Sequence, residues 1–323
     1  SGAVIPLTLY WQGISRLDSE YVVSIRVKDQ DGHYFGRLDK RLTGRYSTTR
    51  WKPGEVQFGD FDVPVVAGTP PGTYSIEIEV YTALDGERAQ RLASLDVLND
   101  QGAPIGTATP LAEVQVVKSN RRLTIADMGI PTLENVSFGE ITLVGLVEID
   151  QSKPLRQGDK TTLTLFWQAV KQPSRDLELV IQFVSKANTV FLERRWPLAR
   201  RDYPTTLWSP GELVRGQYDL IVPADAPPGK ARLRLGLADS SGFVGEPAAI
   251  QEVEVAERQR EMTVSGDIQH PLQADLGGMV RLLGYDLDTD IVKPGQTLRL
   301  TLYWRAATRI EKSFAVVTHL LDE

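Results

Sequence analysis

One four-residue phrase occurs three times in this chain and limits what it can fold into. It reads Thr8-Leu9-Tyr10-Trp11, Thr164-Leu165-Phe166-Trp167 and Thr301-Leu302-Tyr303-Trp304, each preceded by a leucine at Leu7, Leu163 or Leu300. Side chains alternate across a strand, so Leu7, Leu9 and Trp11 share one face, as do Leu163, Leu165, Trp167 and Leu300, Leu302, Trp304. The spacing predicts the central core strand of a repeated β-domain, with each tryptophan turned inward.

Other landmarks recur in the same order. Trp51-Lys52-Pro53-Gly54-Glu55 returns as Trp208-Ser209-Pro210-Gly211-Glu212, and Pro70-Pro71-Gly72 as Pro227-Pro228-Gly229. From 51 to 208 and from 70 to 227 the offset is the same, 157 residues. Glu113-Val114-Gln115-Val116 returns as Glu252-Val253-Glu254-Val255, and Leu143-Val144-Gly145-Leu146 as Leu282-Leu283-Gly284-Tyr285. A fixed order of landmarks is the signature of a repeat.

Residues 119–257 hold the one complete copy. Strands are predicted at Ile141–Ile149, Thr161–Gln168, Leu177–Val184, Val190–Trp196, Val214–Val222, Lys230–Ala238 and Ile250–Val255. Short alternating strands divided by Gly/Pro signals are the pattern of an antiparallel sandwich, and no comparable segment has sustained helical periodicity. In Lys52-Pro53-Gly54-Glu55 the proline presets one central residue and the glycine accepts the positive φ of the next, a type II turn. Lys293-Pro294-Gly295-Gln296 repeats that chemistry, and Arg156-Gln157-Gly158-Asp159 keeps its glycine. The first copy, 1–118, lacks a counterpart of the Leu143 strand. The third, 258–323, stops after its third strand. The expected fold is therefore all-β: tandem immunoglobulin-like antiparallel β-sandwiches, one complete and two partial. The truncated ends suggest a slice of a longer array.

The run Leu282–Asp286, Lys293–Gln296 and Leu300–Trp304, with Tyr203–Glu212 and Ala226–Gly229, resembles β-sandwich repeat modules of Chloroflexota surface proteins. It is similar also to the extracytoplasmic parts of family 39-type membrane glycosyltransferases. The resemblance covers nearly the whole chain. It implies immunoglobulin-like sandwiches outside the bacterial cytoplasmic membrane, without catalytic residues of their own. The first copy departs from the pattern by an insertion around Asp96–Thr109.

Composition narrows the chemistry. The net charge is −6 with both signs interspersed, which argues against a nucleic-acid partner. The cluster Arg194, Arg195, Arg200 and Arg201 is expected to be a solvated strand edge. With no cysteine there is no disulfide, thiolate metal site or cysteine nucleophile. No run is long and apolar enough to span a bilayer. His33, His270 and His319 fall at unrelated places, His319 on a strand face expected to be exposed, and leave little for zinc or a nucleophile–histidine pair. Asp286, Asp288 and Asp290 offer carboxylates that could collect calcium, but they lack the glycine and distal glutamate of an EF-hand loop, and the expected reading is a chain without metal or cofactor.

Tyr46 and Trp51, with their counterparts Tyr203 and Trp208, are the candidate ligand-binding residues, because exposed aromatic rings stack on sugars. The opposing expectation is that Trp51 and Trp208 pack beneath the Pro-Gly turn. The expected function is a non-catalytic extracellular structural or interaction protein, part of a cell-surface stalk, sheath or filament. Its partners would be neighbouring copies of the same or a similar chain. The alternative is a carbohydrate-binding accessory module whose partner is a cell-surface glycan.

Overall fold

The computed structural model describes residues 3–83, 91–258, 262–264, 266–292, 298–308, 310, 316 and 318. It is all-β. The strands of the first copy are β1 (Val4–Gln12), β2 (Tyr21–Lys28), β3 (Tyr34–Arg41), β4 (Val56–Pro64), β5 (Gly72–Ala83), β6 (Arg91–Ser94), β7 (Val97–Leu98), β8 (Pro104–Gly106) and β9 (Ala108–Val116). Those of the middle copy are β10 (Thr132–Phe138), β11 (Ile141–Val147), β12 (Leu155–Arg156), β13 (Lys160–Ala169), β14 (Glu178–Ser185), β15 (Val190–Pro197), β16 (Leu213–Ile221), β17 (Gly229–Asp239) and β18 (Gly242–Ala256). The third copy contributes β19 (His270–Leu276), β20 (Val280–Leu287) and β21 (Leu300–Ala306). Among the described residues no helix is long and apolar enough to cross a membrane.

Two compact units are formed, one by residues 1–97 and 105–258 and the other by residues 98–104 and 259–323. Within the first unit the middle copy has two facing sheets, ordered β10-β11-β13-β16 and β12-β18-β17-β14-β15. Leu163, Leu165 and Trp167 from one sheet and Leu179, Ile181, Phe183, Leu233, Leu235 and Leu237 from the other are fully buried in a single core. The alternation that marked these strands is thus the alternation of an inner and an outer face. The first copy repeats the plan in reduced form, with β1 paired to β4 and a second sheet in which β2 joins β3 to β5. In the other unit, β19-β20-β21 form a three-stranded antiparallel sheet around the third tryptophan strand.

β10, β12 and β19 match no expected strand, and β18 is longer than expected. β10 presents Thr132, Glu134, Val136 and Phe138 on its more buried face and leaves Leu133 two-thirds exposed. β18 runs from Gly242, well before the expected start at Ile250, and takes in Pro247 through two register shifts against β17. The Lys293–Gln296 turn, His319 and the strand expected around Phe314–Leu320 lie outside the described residues, apart from Val316 and Thr318.

The recurring glycines have identifiable causes. Gly54, Gly158 and Gly211 have φ of 83°, 85° and 76°, each closing a turn by an i+3 to i backbone hydrogen bond. Gly145 and Gly284 meet a different demand. A Cβ on Gly145 would lie 2.3 Å from Ile130 Cγ2 and 2.5 Å from the Thr132 carbonyl. One on Gly284 would lie 2.5 Å from Ile268 Cγ2 and 2.4 Å from the His270 carbonyl. The repeated Gly therefore admits the same close approach of the preceding strand in both copies.

Candidate functional site

The Trp-x-Pro-Gly-Glu segments fold the same way twice. Glu55 and Glu212 turn back to accept the N–H of Lys52 at 2.9 Å and of Ser209 at 2.8 Å, closing their own turns. Thr48 accepts from Tyr21 N–H and donates to the Ser19 carbonyl; Thr205 accepts from Leu177 N–H and donates to the Arg175 carbonyl. Each threonine is buried and ties a 3-10 turn to the preceding loop. Trp208 is 0% exposed and Trp51 4% exposed, so neither indole offers a face to a sugar ring. Tyr203 is 6% exposed, and its hydroxyl donates to Glu212 at 2.6 Å. Burial, followed by that carboxylate, pushes the phenol's pKa up. Tyr46 is 40% exposed and donates to the Arg50 carbonyl at 3.2 Å. The four aromatics are thus two copies of one structural corner, and Tyr46 alone among them reaches solvent.

Several other carboxylates are held by partners in their own sheets. Arg26, on the outer face of β2, bonds both Glu77 and Glu79 from β5, and Lys28 adds a second cation to Glu77 at 2.9 Å. Asp286 accepts Gln269 N–H at 2.8 Å and the Tyr303 hydroxyl at 2.5 Å, while Asp288 accepts Arg299 N–H at 2.9 Å. These bonds organise their own sheet and loops.

The most elaborate non-repeating arrangement is the joint between the first and middle copies, inside one compact unit. Its apolar part is Met128, Val144, Phe166 and Leu213, packed with Leu123 and Ile130 of the connecting segment and Ala67 of the first copy. Met128 sits so close to Gly68 that a Cβ there would meet its Cε at 2.2 Å. Beside it, the Arg215 N–H donates to the Gly68 carbonyl at 2.8 Å, and the Arg215 guanidinium lies 5.3 Å over Phe166.

Polar contacts extend this seam. Arg200 is 7% exposed; its guanidinium takes Asp202 in a two-pronged grip at 2.7 and 2.8 Å and donates to the Thr73 carbonyl at 3.1 Å. It also lies 4.9 Å over the buried Tyr74 ring. The pKa of Arg200 is raised, chiefly by the Asp202 hydrogen bond, and that of Asp202 is lowered by the same bond. Gly72 makes room, since a Cβ there would touch the guanidinium carbon at 2.7 Å. The expected solvated basic cluster is therefore corrected at Arg200, whose paired charge is buried in the seam, while Arg194, Arg195 and Arg201 are exposed. Gln217 donates to the Tyr34 carbonyl at 2.9 Å. Lys118 bonds Glu212 at 2.6 Å and the Leu207 carbonyl at 3.0 Å, lying over the Tyr203 ring. A cleft of about 480 Å³ opens here between the Val65–Pro71 loop and the Ser209–Leu213 turn.

His33 completes the seam. Its Nδ1 lies 3.4 Å from Asp29 in its own hairpin and its Nε2 3.4 Å from Asp219 on β16 of the middle copy. The His33 pKa is raised, first by the Asp29 hydrogen bond and then, against burial, by the charges of Asp29, Asp219 and Asp31. Asp29, Asp31 and His33 bring their donor atoms within 4.8 Å. Asp29 Oδ1, however, accepts the N–H groups of Asp31 and His33, and the ring faces two carboxylates. The group is a hydrogen-bonded hairpin tip, and we assign no cation to it.

Of the joint residues, Tyr203 alone is a candidate functional residue by sequence; Arg200, Arg215, Gln217, Lys118 and His33 are not. The signal was there in the repeat alignment: Arg215 and Gln217 stand where the first copy has Phe58 and Asp60. Comparison with known proteins returns no matching family model and no matching curated protein.

Proposed function

We propose that this chain is a non-catalytic structural and interaction protein, a stretch of an array of immunoglobulin-like sandwiches linked by stiff joints into a surface stalk, sheath or filament. The strand order supports the immunoglobulin-like assignment. In the middle copy β11-β13-β16 stand as strands A-B-E against β15-β14-β17-β18 as C′-C-F-G, with β12 running parallel to β18. The extracytoplasmic, bacterial setting is supported by the motif resemblance.

The observation that carries the proposal is the seam. Linked domains move freely unless their interface is large and apolar. Here an apolar patch, a backbone hydrogen bond and a buried guanidinium fix one copy on the next. A catalytic or ligand-binding role would concentrate chemistry in one place. The recurring Glu55 and Glu212 close turns, and Arg200, Arg215, Gln217 and His33, which do not recur, contribute contacts that join the copies. Negative-stain electron microscopy of the native full-length protein tests this: rods with a regular domain repeat are expected, and a flexible or collapsed string would overturn it.

A further inference from the structure

We propose that His33 is a proton-operated latch on the joint between the first and middle copies, holding it closed when protonated and loosening it when neutral. The inference rests on the reading of that joint as stiff, and adds that its stiffness is set by pH. Geometry carries it. The ring stands at the seam with one nitrogen toward a carboxylate of each copy, both at 3.4 Å. Nδ1 hydrogen-bonds Asp29, whereas Nε2 makes no hydrogen bond to Asp219, so what crosses the seam is the attraction between an imidazolium charge and that carboxylate, which a neutral ring lacks. The full crosslink between copies therefore exists in the charged form alone.

The surroundings favour that charge. Asp29 and Asp31 face His33 from its own hairpin and Asp219 from β16. The opposing cation is Lys160 of β13, which bonds Asp219 at 2.7 Å, while Thr162 donates to the other Asp219 oxygen at 2.7 Å. Tyr74 is held neutral by burial, and Arg200 is neutralised by Asp202. Three carboxylates thus face one imidazole with one competing ammonium. In agreement, the His33 pKa lies above its ordinary 6.5. Burial opposes the lowering of Asp29 and Asp219, but hydrogen bonds from His33 to Asp29 and from Lys160 and Thr162 to Asp219 hold both carboxyls below their ordinary 3.8.

The sign follows. A raised histidine contributes fully below 6.5 and loses its contribution as pH climbs through the folded value. The lowered carboxylates contribute above 3.8 and fail only in stronger acid. The latch is closed between those limits and opens on the alkaline side.

The Arg215 amide reports the joint directly, because its partner is the Gly68 carbonyl of the other copy. Its hydrogen-exchange protection, corrected for intrinsic rate, is to be measured in the full chain at pH 5.5 and 8.5, alongside NMR titration of the His33 ring. We expect protection to fall about two- to fivefold at the higher pH, the range of a partly exposed ion pair. The fall should vanish in His33→Gln, and Asp219→Asn should lower the ring pKa. Unchanged protection in the native chain, or an equal fall in His33→Gln, overturns the latch while leaving the joint intact. An unprotected Arg215 amide at both pH values overturns the stiff joint itself.

Discussion

In the middle copy Leu163, Leu165 and Trp167 are fully buried, whereas in the first copy Leu7, Leu9 and Trp11 are only half so, although the two phrases differ by one aromatic residue. The cause is what flanks the strand. β13 lies between β11 and β16, while β1 pairs with β4 and, among the described residues, with nothing on its other edge. A second difference is chemical. Trp167 Nε1 donates to the Tyr218 hydroxyl at 3.3 Å, and Tyr218 in turn donates to the Leu198 carbonyl. The first copy has Phe61 at the matching position, and Trp11 Nε1 is buried without a partner. A sequence phrase therefore names a strand and its inward face; its neighbours decide how far that face is removed from water.

The sharpest break of this comparison is a pair of truncations. Trp167→Ala should cost about 3–5 kcal/mol by chemical denaturation, as for other buried tryptophans. Trp11→Ala should cost less, about 1–3 kcal/mol, in line with the smaller apolar area it removes from water. Equal losses would mean that the flanking strand is irrelevant. Next is Gly145→Ala, whose Cβ is driven against Ile130 and Thr132; a loss of about 1–3 kcal/mol is expected in the same assay. Thr48→Ala and Thr205→Ala should be matched in their effect, about 1–2 kcal/mol each, because both leave a loop N–H unpaired in the same way. The smallest effect is Tyr218→Phe, about 1 kcal/mol, which gives the middle copy the first copy's unpaired indole.

The seven strands expected in the middle copy were legible because their apolar residues alternate, and the turns were legible because glycine is the residue that takes positive φ cheaply. β10 was hidden by inverted alternation: Thr132 and Glu134 face inward and Leu133 outward. The start of β18 was hidden by Pro247, which argues against a strand unless bulges accommodate it. The candidate corner of Tyr46, Trp51, Tyr203 and Trp208 was legible as a repeat. The burial of Trp51 and Trp208 agrees with the expectation that they pack inward beside the Pro-Gly turn, while Tyr203 is covered by contacts with Glu212 and Lys118 that no local pattern encodes. The joint was least legible, since Arg200, His33 and Gln217 acquire their roles from residues 127, 186 and 183 positions away, at Thr73, Asp219 and Tyr34. A local reading of Arg200-Arg201 as a solvated charge run fails for that reason.

The landmarks that recur at constant spacing shape each copy; side chains that do not recur, Arg200, Arg215, Gln217 and His33, supply contacts between the first copy and the middle one. The chain has no cysteine, so spin labels at Lys52→Cys and Lys186→Cys would be unique, one on each copy at an exposed position. The distribution of distances between them by pulsed electron resonance is the most direct test. A single narrow distance in the otherwise native chain, broadened by Arg200→Ala, is the result predicted. A broad distribution before any joint residue is changed would contradict it.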